Sequence, residues 1–563
     1  MTVIYCLNKF TDVLIIGSGI AGLRASLEAS KYSDNIVILS KLPVMLSHSV
    51  SAAGGINSVS IPDDSIKSYF EDTIKGSDYL ADQDAVSTLV NHANSEIDYL
   101  EKIGVDFDKS DKEYSPNKLG GAKFSRALNS SSQIGLSIMQ GLYDEVKKNN
   151  IQILENWHVL DLLVDNNRCY GLIALNKDNY KIEKFLSHLV IIATGPAGHI
   201  YSDTTNSTNC TGDGVAIAYR AGALLKDMEF VQFHPTSLLG SNILITERSR
   251  SVGAYLLNKN GERFMSKYAP SSLELAPRDI VSRSIINEIN ENLGLNDPDY
   301  GDYVELSFTH LENSLIDEKL SDVKELASSL LNIDIKKTPL KVIPAQHYMM
   351  GGIKINVDCE TSISHLYAAG ECSCPSVHGA NRLGGNSLIE CLVFGKIAGS
   401  QIKNHSKIHD IDSLNIEFNI SDYSNIMDNV DSDYINIISS KLQSLMTSNV
   451  GIIRTKKLLE QSLQDLYILK KQALSHPIDN SDNSKSSGYS YFELLNMLDV
   501  AETIISSSII REESRGSHFR LDFPSRNDKD WLNHVIIQLS NSNVISSFES
   551  VIINNIVPDS RSY

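Results

Sequence analysis

The chain opens with apolar and polar positions in a strand–turn–helix–strand order. Residues 11–16 end in a continuous apolar run, Val13-Leu14-Ile15-Ile16, the pattern of a parallel strand buried on both faces. Residues 23–32 read as an amphipathic helix and 36–39 as a second buried strand. Helical periodicity with Asp or Ser starts covers 84–103 and 130–149, with a turn at Leu119-Gly120-Gly121 between them. An apolar strand at 188–194 runs into Gly195-Pro196-Ala197-Gly198, and Thr211-Gly212-Asp213-Gly214 opens a helix over 215–221. From His234 to about Leu340 the rhythm gives way to loops, charges and interrupted helices, which predicts an inserted domain. Strand and glycine patterns return over 341–388. Helical periodicity fills 433–474 and 489–514, separated by a polar linker at 475–488, and a mixed tail follows.

At 563 residues the chain is too long for one core and predicts two to four domains. A net charge of -19 argues against non-specific nucleic-acid binding, without excluding a local cationic pocket. No basic-then-apolar leader is present, and no apolar stretch reaches the ~18 residues of a membrane span. Membrane association would have to come through a partner. The seven cysteines are scattered and odd in number, which suits a reducing compartment. Cys372-Ser373-Cys374 has no second pair at zinc or iron–sulfur spacing and reads as structural; no metal site is expected.

Gly17-Ser18-Gly19-Ile20-Ala21-Gly22 sits between the first strand and helix, where GxGxxG has mechanical meaning. The first glycine makes the turn, the second lets backbone reach a pyrophosphate, and the third lets helix and strand pack closely. The second strand ends in Ser40-Lys41 rather than the acidic residue that holds the ribose of NAD, which favours FAD. Ser47-His48-Ser49-Val50-Ser51-Ala52-Ala53-Gly54-Gly55-Ile56-Asn57 then places small residues around one histidine, suited to close approach by a flat ring. Taken alone, it is equally a glycine-rich turn with an incidental histidine. Further on stand His234-Pro235-Thr236, Thr246-Glu247-Arg248-Ser249-Arg250, Arg278-Asp279, His347-Tyr348-Met349-Met350-Gly351-Gly352, and Glu371 through Leu388. Arginine forks match carboxylates, so two cationic clusters across a short apolar gap would hold a small dicarboxylate.

These motifs resemble the flavoprotein subunit of the succinate dehydrogenase/fumarate reductase family, from Asp12 to about Asp528. Ser47 to Asn57 matches the family's flavin attachment pattern, with Ala53 in place of its usual glutamine. The resemblance implies FAD bound covalently through His48. It implies an α/β chain: an FAD-binding Rossmann-like domain (1–235 and 341–405), an inserted α+β capping domain (236–340), a helical bundle domain (406–515) and a small C-terminal domain (516–563). Further FAD contacts are expected from Gly17, Ser18, Gly19, Ala21, Gly22, Ser40, Lys41, Ser49, Gly54, Gly55, Asp213, Glu371, Arg382, Ser387 and Leu388. His234, Thr246, His347 and Arg382 would bind substrate. Arg278 would exchange the proton, relayed by Glu247 and Arg250, because a guanidinium is a poor base by itself. The segment Thr246 to Gly253 departs from the family's T-E-G-x-R-G-E-G: two glycines and a glutamate are lost and Arg248 is gained. Glu513 to Pro524 resembles the family's C-terminal E-S-R-G-x-H segment.

The resemblance further implies an iron–sulfur electron-transfer subunit, membrane anchor subunits, and a cytoplasmic position on the inner face of the cell membrane through those partners. The nearest rival, L-aspartate oxidase, shares several motifs but places a glutamate where this chain has Leu119, and it lacks the attachment histidine. A non-catalytic flavoprotein is disfavoured because His234, Arg278 and Arg382 are all present. An NAD-linked dehydrogenase is disfavoured by Ser40-Lys41.

Overall fold

The computed structural model describes residues 10–130, 133–405, 431–475 and 484–560. The chain's first residues, with Cys6, and residues 406–430 and 476–483 of the expected helical region and linker lie outside them. The six described cysteines are free thiols.

The opening apolar run forms the strand Phe10–Ile16, followed by the helix Ile20–Ala29 and the strand Ile36–Leu39. Val13, Leu14 and Ile15 have no solvent exposure, as a strand covered on both faces requires. It is central in a seven-stranded sheet, flanked in parallel by Ile36–Leu39 and Ile182–Ile192. The long strand Ile182–Ile192 changes partner along its length. Residues 182–186 pair antiparallel with Arg168–Asn176, whereas 190–192 pair in parallel with Leu366–Ala368. The chain therefore leaves this layer, builds the inserted unit and returns to it. Two glycines are dictated by contact. A Cβ on Gly17 (φ +109°) would lie 2.2 Å from the Ala193 carbonyl oxygen, and one on Gly22 would lie 2.0 Å from that of Gly17.

Strands Val231–Leu238, Leu340–Met349, Gly301–Ser307 and Tyr255–Leu257 form the inserted sheet, edged by Leu295–Asp297. With the helix Arg278–Asn290 it encloses its own core, including Leu256, Val281, Ile285, Leu306 and Phe308. The expected cut points at 235/236 and 340/341 fall within or at the end of its two long strands. Val231, Phe233 and Met349 pack in the main core, whereas Leu238, Leu340 and Val342 pack in the inserted one. Two paired strands thus pass through both layers. Their register slips on both sides of His234, where Pro235 has no N–H to give the ladder.

The helices correct the sequence expectation in three places. The segment 130–149 is helical only from Ile134, and 433–474 divides into Ser432–Asn449 and Lys456–Leu474. Gly451 and the β-branched Ile452-Ile453 break the periodicity, and the Thr455 side chain accepts from the Leu458 N–H to cap the second helix. The last helix, Ser484–Ile510, starts within the expected linker and ends before 514, because Arg511 to Arg515 are drawn into buried ion pairs. These helices have no separate core; Ile438, Leu442, Leu466 and Ile504 join the main one. Nor does the expected C-terminal domain stand apart. Asn533–Ser540 pairs with Leu225–Lys226 inside a five-stranded sheet.

Candidate active site

The first strand delivers the chain to a helix N-terminus whose N-cap, Gly19, has no side chain; the Ile20 N–H donates to Ser49 Oγ at 3.4 Å. This helix end borders a groove lined by Gly17, Ser18, Gly19, Ala21, Ser40, Lys41, His48, Ser49 and Glu371. These residues fit a dinucleotide. The helix end suits a pyrophosphate, and a Cβ on Gly19 would already meet the Ser49 hydroxyl at 3.1 Å. Lys41 lies at one end, 2.8 Å from both Asp213 and Glu493. Burial lowers its pKa, but the two carboxylates outweigh this and hold it above the ordinary lysine value. His48 and Glu371 lie further along. Burial pushes the His48 imidazole down to about 4 and the Glu371 carboxyl up to about 8. Gly22, Gly54, Gly55, Asp213, Arg382, Ser387 and Leu388 do not line this groove. Asp213 stands behind it, on Lys41, and Gly22 is used in helix–strand packing.

The second cluster forms where the inserted sheet meets the main layer. Thr246 precedes the short helix Glu247–Val252, and Arg278 begins Arg278–Asn290. Arg278 donates from Nε to Glu247 Oε2 and from Nη1 to Gln232 Oε1, each at 3.0 Å. Glu247 also accepts the Gly120 N–H at 2.6 Å, and Arg250 Nη2 lies 3.8 Å from it. Burial raises the Glu247 pKa, yet the Arg278 and Arg250 charges and these hydrogen bonds bring it below the ordinary carboxylate value. Glu247, Arg278 and Arg382 border one cavity.

His234 and His347 come from the two paired strands, with ring centroids 5.2 Å apart. Burial, then the Arg278 charge, holds both well below the ordinary histidine value. Arg382 lies with its guanidinium 4.2 Å from the Tyr348 ring centre, and burial lowers its pKa to about 10. The buried Thr246 hydroxyl and Arg382 Nε have no hydrogen-bond partner. Unpaired buried donors are costly, and a carboxylate in this space would satisfy them. Three arginines, Arg278, Arg250 and Arg382, thus act on the one Glu247 carboxylate, so the cluster is cationic within an acidic protein.

Several contributors escape the motifs. Gln232 holds Arg278 and also donates to Asn381 Oδ1 and the Arg382 carbonyl. Thr205 Oγ1 lies 2.8 Å from His347 Nδ1. Asn206 Nδ2 lies 3.2 Å from His48 Nε2. Gln232 had one signal: it lies two residues before His234 on the same strand. Thr205 and Asn206 belong to a loop without periodicity.

The altered segment is helical rather than an irregular loop. Gly253 closes it at φ +118°, and Arg248 points away from the cavity to the Lys319 carbonyl and Asp322.

The FAD binding domain family matches residues 12–388, and the fumarate reductase flavoprotein C-terminal family matches residues 439–563. An FAD-dependent oxidoreductase of Methanocaldococcus jannaschii is 39% identical over 540 residues, covering 94% of this chain and 96% of that one. A succinate dehydrogenase flavoprotein subunit of Rickettsia bellii is 35% identical over 559 residues, covering 94% and 93%. A chain of the E. coli quinol fumarate reductase superposes with a TM-score of 0.93 at 33% identity, covering 98% of both. FAD is the cofactor of this chain, which belongs to the succinate dehydrogenase/fumarate reductase flavoprotein family.

Proposed function

We propose that this oxidoreductase interconverts succinate and fumarate, with FAD attached through His48. Bound FAD supplies a hydride acceptor or donor beside the substrate carbon. Arg382 on one side, and His234, Thr246 and His347 on the other, hold the two carboxylates. Arg278 exchanges the proton at the neighbouring carbon, and Glu247 with Arg250 resupplies it. The observation that carries this reading is the Arg278 guanidinium, fixed between Glu247 and Gln232 at a cavity wall. It is oriented before substrate arrives, as a proton-transfer group must be. Leu119 is buried close to Gly384 and offers no charge to an α-amino group, which disfavours L-aspartate as substrate.

Electrons pass to an iron–sulfur subunit, a reading supported by the likeness to chains of quinol fumarate reductase. No described helix is long and apolar enough to cross a membrane; the likeness to chains of quinol fumarate reductase supports membrane anchor subunits that place the chain on the inner face of the cell membrane. The test is succinate:dye and fumarate reductase activity of Arg278→Lys. Both rates are expected to fall about 10²–10⁴-fold while FAD stays bound. Undiminished turnover would remove Arg278 from the proton step.

A further inference from the structure

We infer that Tyr348 is the positioning residue of Arg382: the face of its ring holds the guanidinium, and Glu390 with His378 holds the ring. This rests on the reading of Arg382 as a substrate-binding residue.

Arg382 is buried at the wall of the cavity. Among the described residues, no group hydrogen-bonds or ion-pairs with its guanidinium, and Nε is buried without a partner. Arg278 differs, clamped by Glu247 and Gln232. What Arg382 has is the Tyr348 ring, whose centre lies 4.2 Å from the guanidinium carbon, well within cation–π range. Strand register explains the arrangement. Tyr348 stands opposite Gln232 across the two paired strands. One register position thus holds both ends of the arginine, Gln232 its backbone carbonyl and Tyr348 its charged head. The ring is itself tethered at its far end. Tyr348 is buried on the strand Leu340–Met349, and its hydroxyl donates to Glu390 Oε2 at 2.6 Å. His378 Nε2 lies 2.9 Å from the same oxygen, and Glu390 is carried by the helix Asn386–Ser400. Burial, then the Glu390 charge, holds the phenol well above the ordinary tyrosine value, so it stays neutral. The contact with Arg382 is therefore one with an aromatic face and not an ion pair.

The consequence is a cation without a competitor. Arg382 presents N–H donors in a fork that matches a carboxylate. A protein carboxylate would orient that fork but occupy it, and substrate would have to displace it. A ring face orients the fork and uses none of its donors. It also offsets part of the cost of burying a guanidinium that the Arg278 charge repels. The phenol's hydrogen bond to Glu390 adds electron density to the ring and strengthens its hold on the cation. The contact serves the bound substrate and the transition state alike. Its loss therefore raises the Kd for the dicarboxylate more than it lowers kcat.

The test uses the full chain expressed with its flavin. Succinate affinity is measured by calorimetry, turnover by dye reduction, and integrity by bound FAD and Tm. Tyr348→Leu should raise the succinate Kd about tenfold or more and change kcat by about threefold or less, with FAD still bound. Tyr348→Phe, which keeps the ring face and loses only its tether, should fall between Tyr348→Leu and the wild type. If Tyr348→Leu does not fold, a series from Tyr348→Phe through mono-, di- and trifluorophenylalanine in place of Tyr348 decides the matter. Fluorine barely changes the volume, and Kd should climb with each one as the ring face loses its negative charge. A Kd unmoved by Tyr348→Leu or flat along the fluorine series would overturn the role of the ring, as would equal losses in Tyr348→Leu and Tyr348→Phe. Arg382→Gln separates the two readings. An unchanged Kd there, or a wild-type chain that binds no succinate, would overturn both. Weakened binding in Arg382→Gln with the Tyr348 variants unaffected would overturn this inference alone.

Discussion

Gln232 shows how much of the site depends on one uncharged side chain. Its carbonyl oxygen receives Arg278, and its amide nitrogen holds Asn381 and the backbone of Arg382. It therefore links Arg278, the residue proposed to exchange the proton, to Arg382, the arginine proposed to bind substrate. Gln232→Leu keeps the volume and removes both links. The expected result is a fall in kcat of about 10–10²-fold with a smaller change in KM, because preorganisation is lost before affinity; an unchanged kcat would show that Glu247 alone orients Arg278. The residues legible in the sequence were those whose chemistry is local. Gly17 and Gly22 act through backbone contact, Gly19 lies against the Ser49 hydroxyl, and the arginines and histidines stand in compact motifs. Gln232, Thr205 and Asn206 were not legible, since a polar residue acquires such roles only from the strand register or loop packing around it.

At the scale of the element, the short helix Glu247–Val252 stands where the family pattern carries two further glycines. Helical geometry puts Glu247 and Arg250 one turn apart on the same side, so the relay spacing persists without those glycines. The glycine that does matter is Gly253, in the left-handed region at the helix end. Gly253→Val should cost on the order of 1–3 kcal/mol, read as a lower Tm, with activity reduced by misalignment of Glu247. Arg248→Ala should behave differently. Its contacts to the Lys319 carbonyl and Asp322 are partly exposed, so a stability change of about 1 kcal/mol or less and near wild-type turnover are expected. Thermal melts and steady-state rates of the two variants separate these outcomes. The strands Phe10–Ile16 and Ile36–Leu39 and the helix Gln83–Lys102 were visible from periodicity to within a few residues, whereas the strands Trp157–Asp165 and Arg168–Asn176 and the helices Arg278–Asn290 and Asn386–Ser400 were not read from it. The break at 450–455 and the extent of the last helix were not, because a cap and a buried ion-pair network set them.

Over the whole molecule, the tail is held by charges as well as by pairing. His534 lies between Asp227 at 2.6 Å and Asp82 at 3.0 Å, and Asp82 also pairs with Lys226. Burial lowers the His534 pKa, but the two carboxylates outweigh it and raise it above the ordinary histidine value. A raised pKa stabilises the folded chain fully below the unfolded value, about 6.5, and the benefit is lost as pH rises through the folded one. The Tm deficit of His534→Gln should therefore shrink between pH 6 and the alkaline range; a constant deficit would mean that His534 is not charged in the fold. The order of layers was readable from the strand–glycine–helix rhythm. The place of the tail was not, since Asn533–Ser540 finds its partner Leu225–Lys226 far back in the chain. This pairing bears on how the protein is made. Chains emerge at roughly 5–20 residues per second, and Leu225–Lys226 waits with one edge open until nearly the whole sequence has left the ribosome. The nascent chain thus carries an unpaired strand edge for most of its synthesis, and truncation before residue 533 should yield a product that chaperones retain.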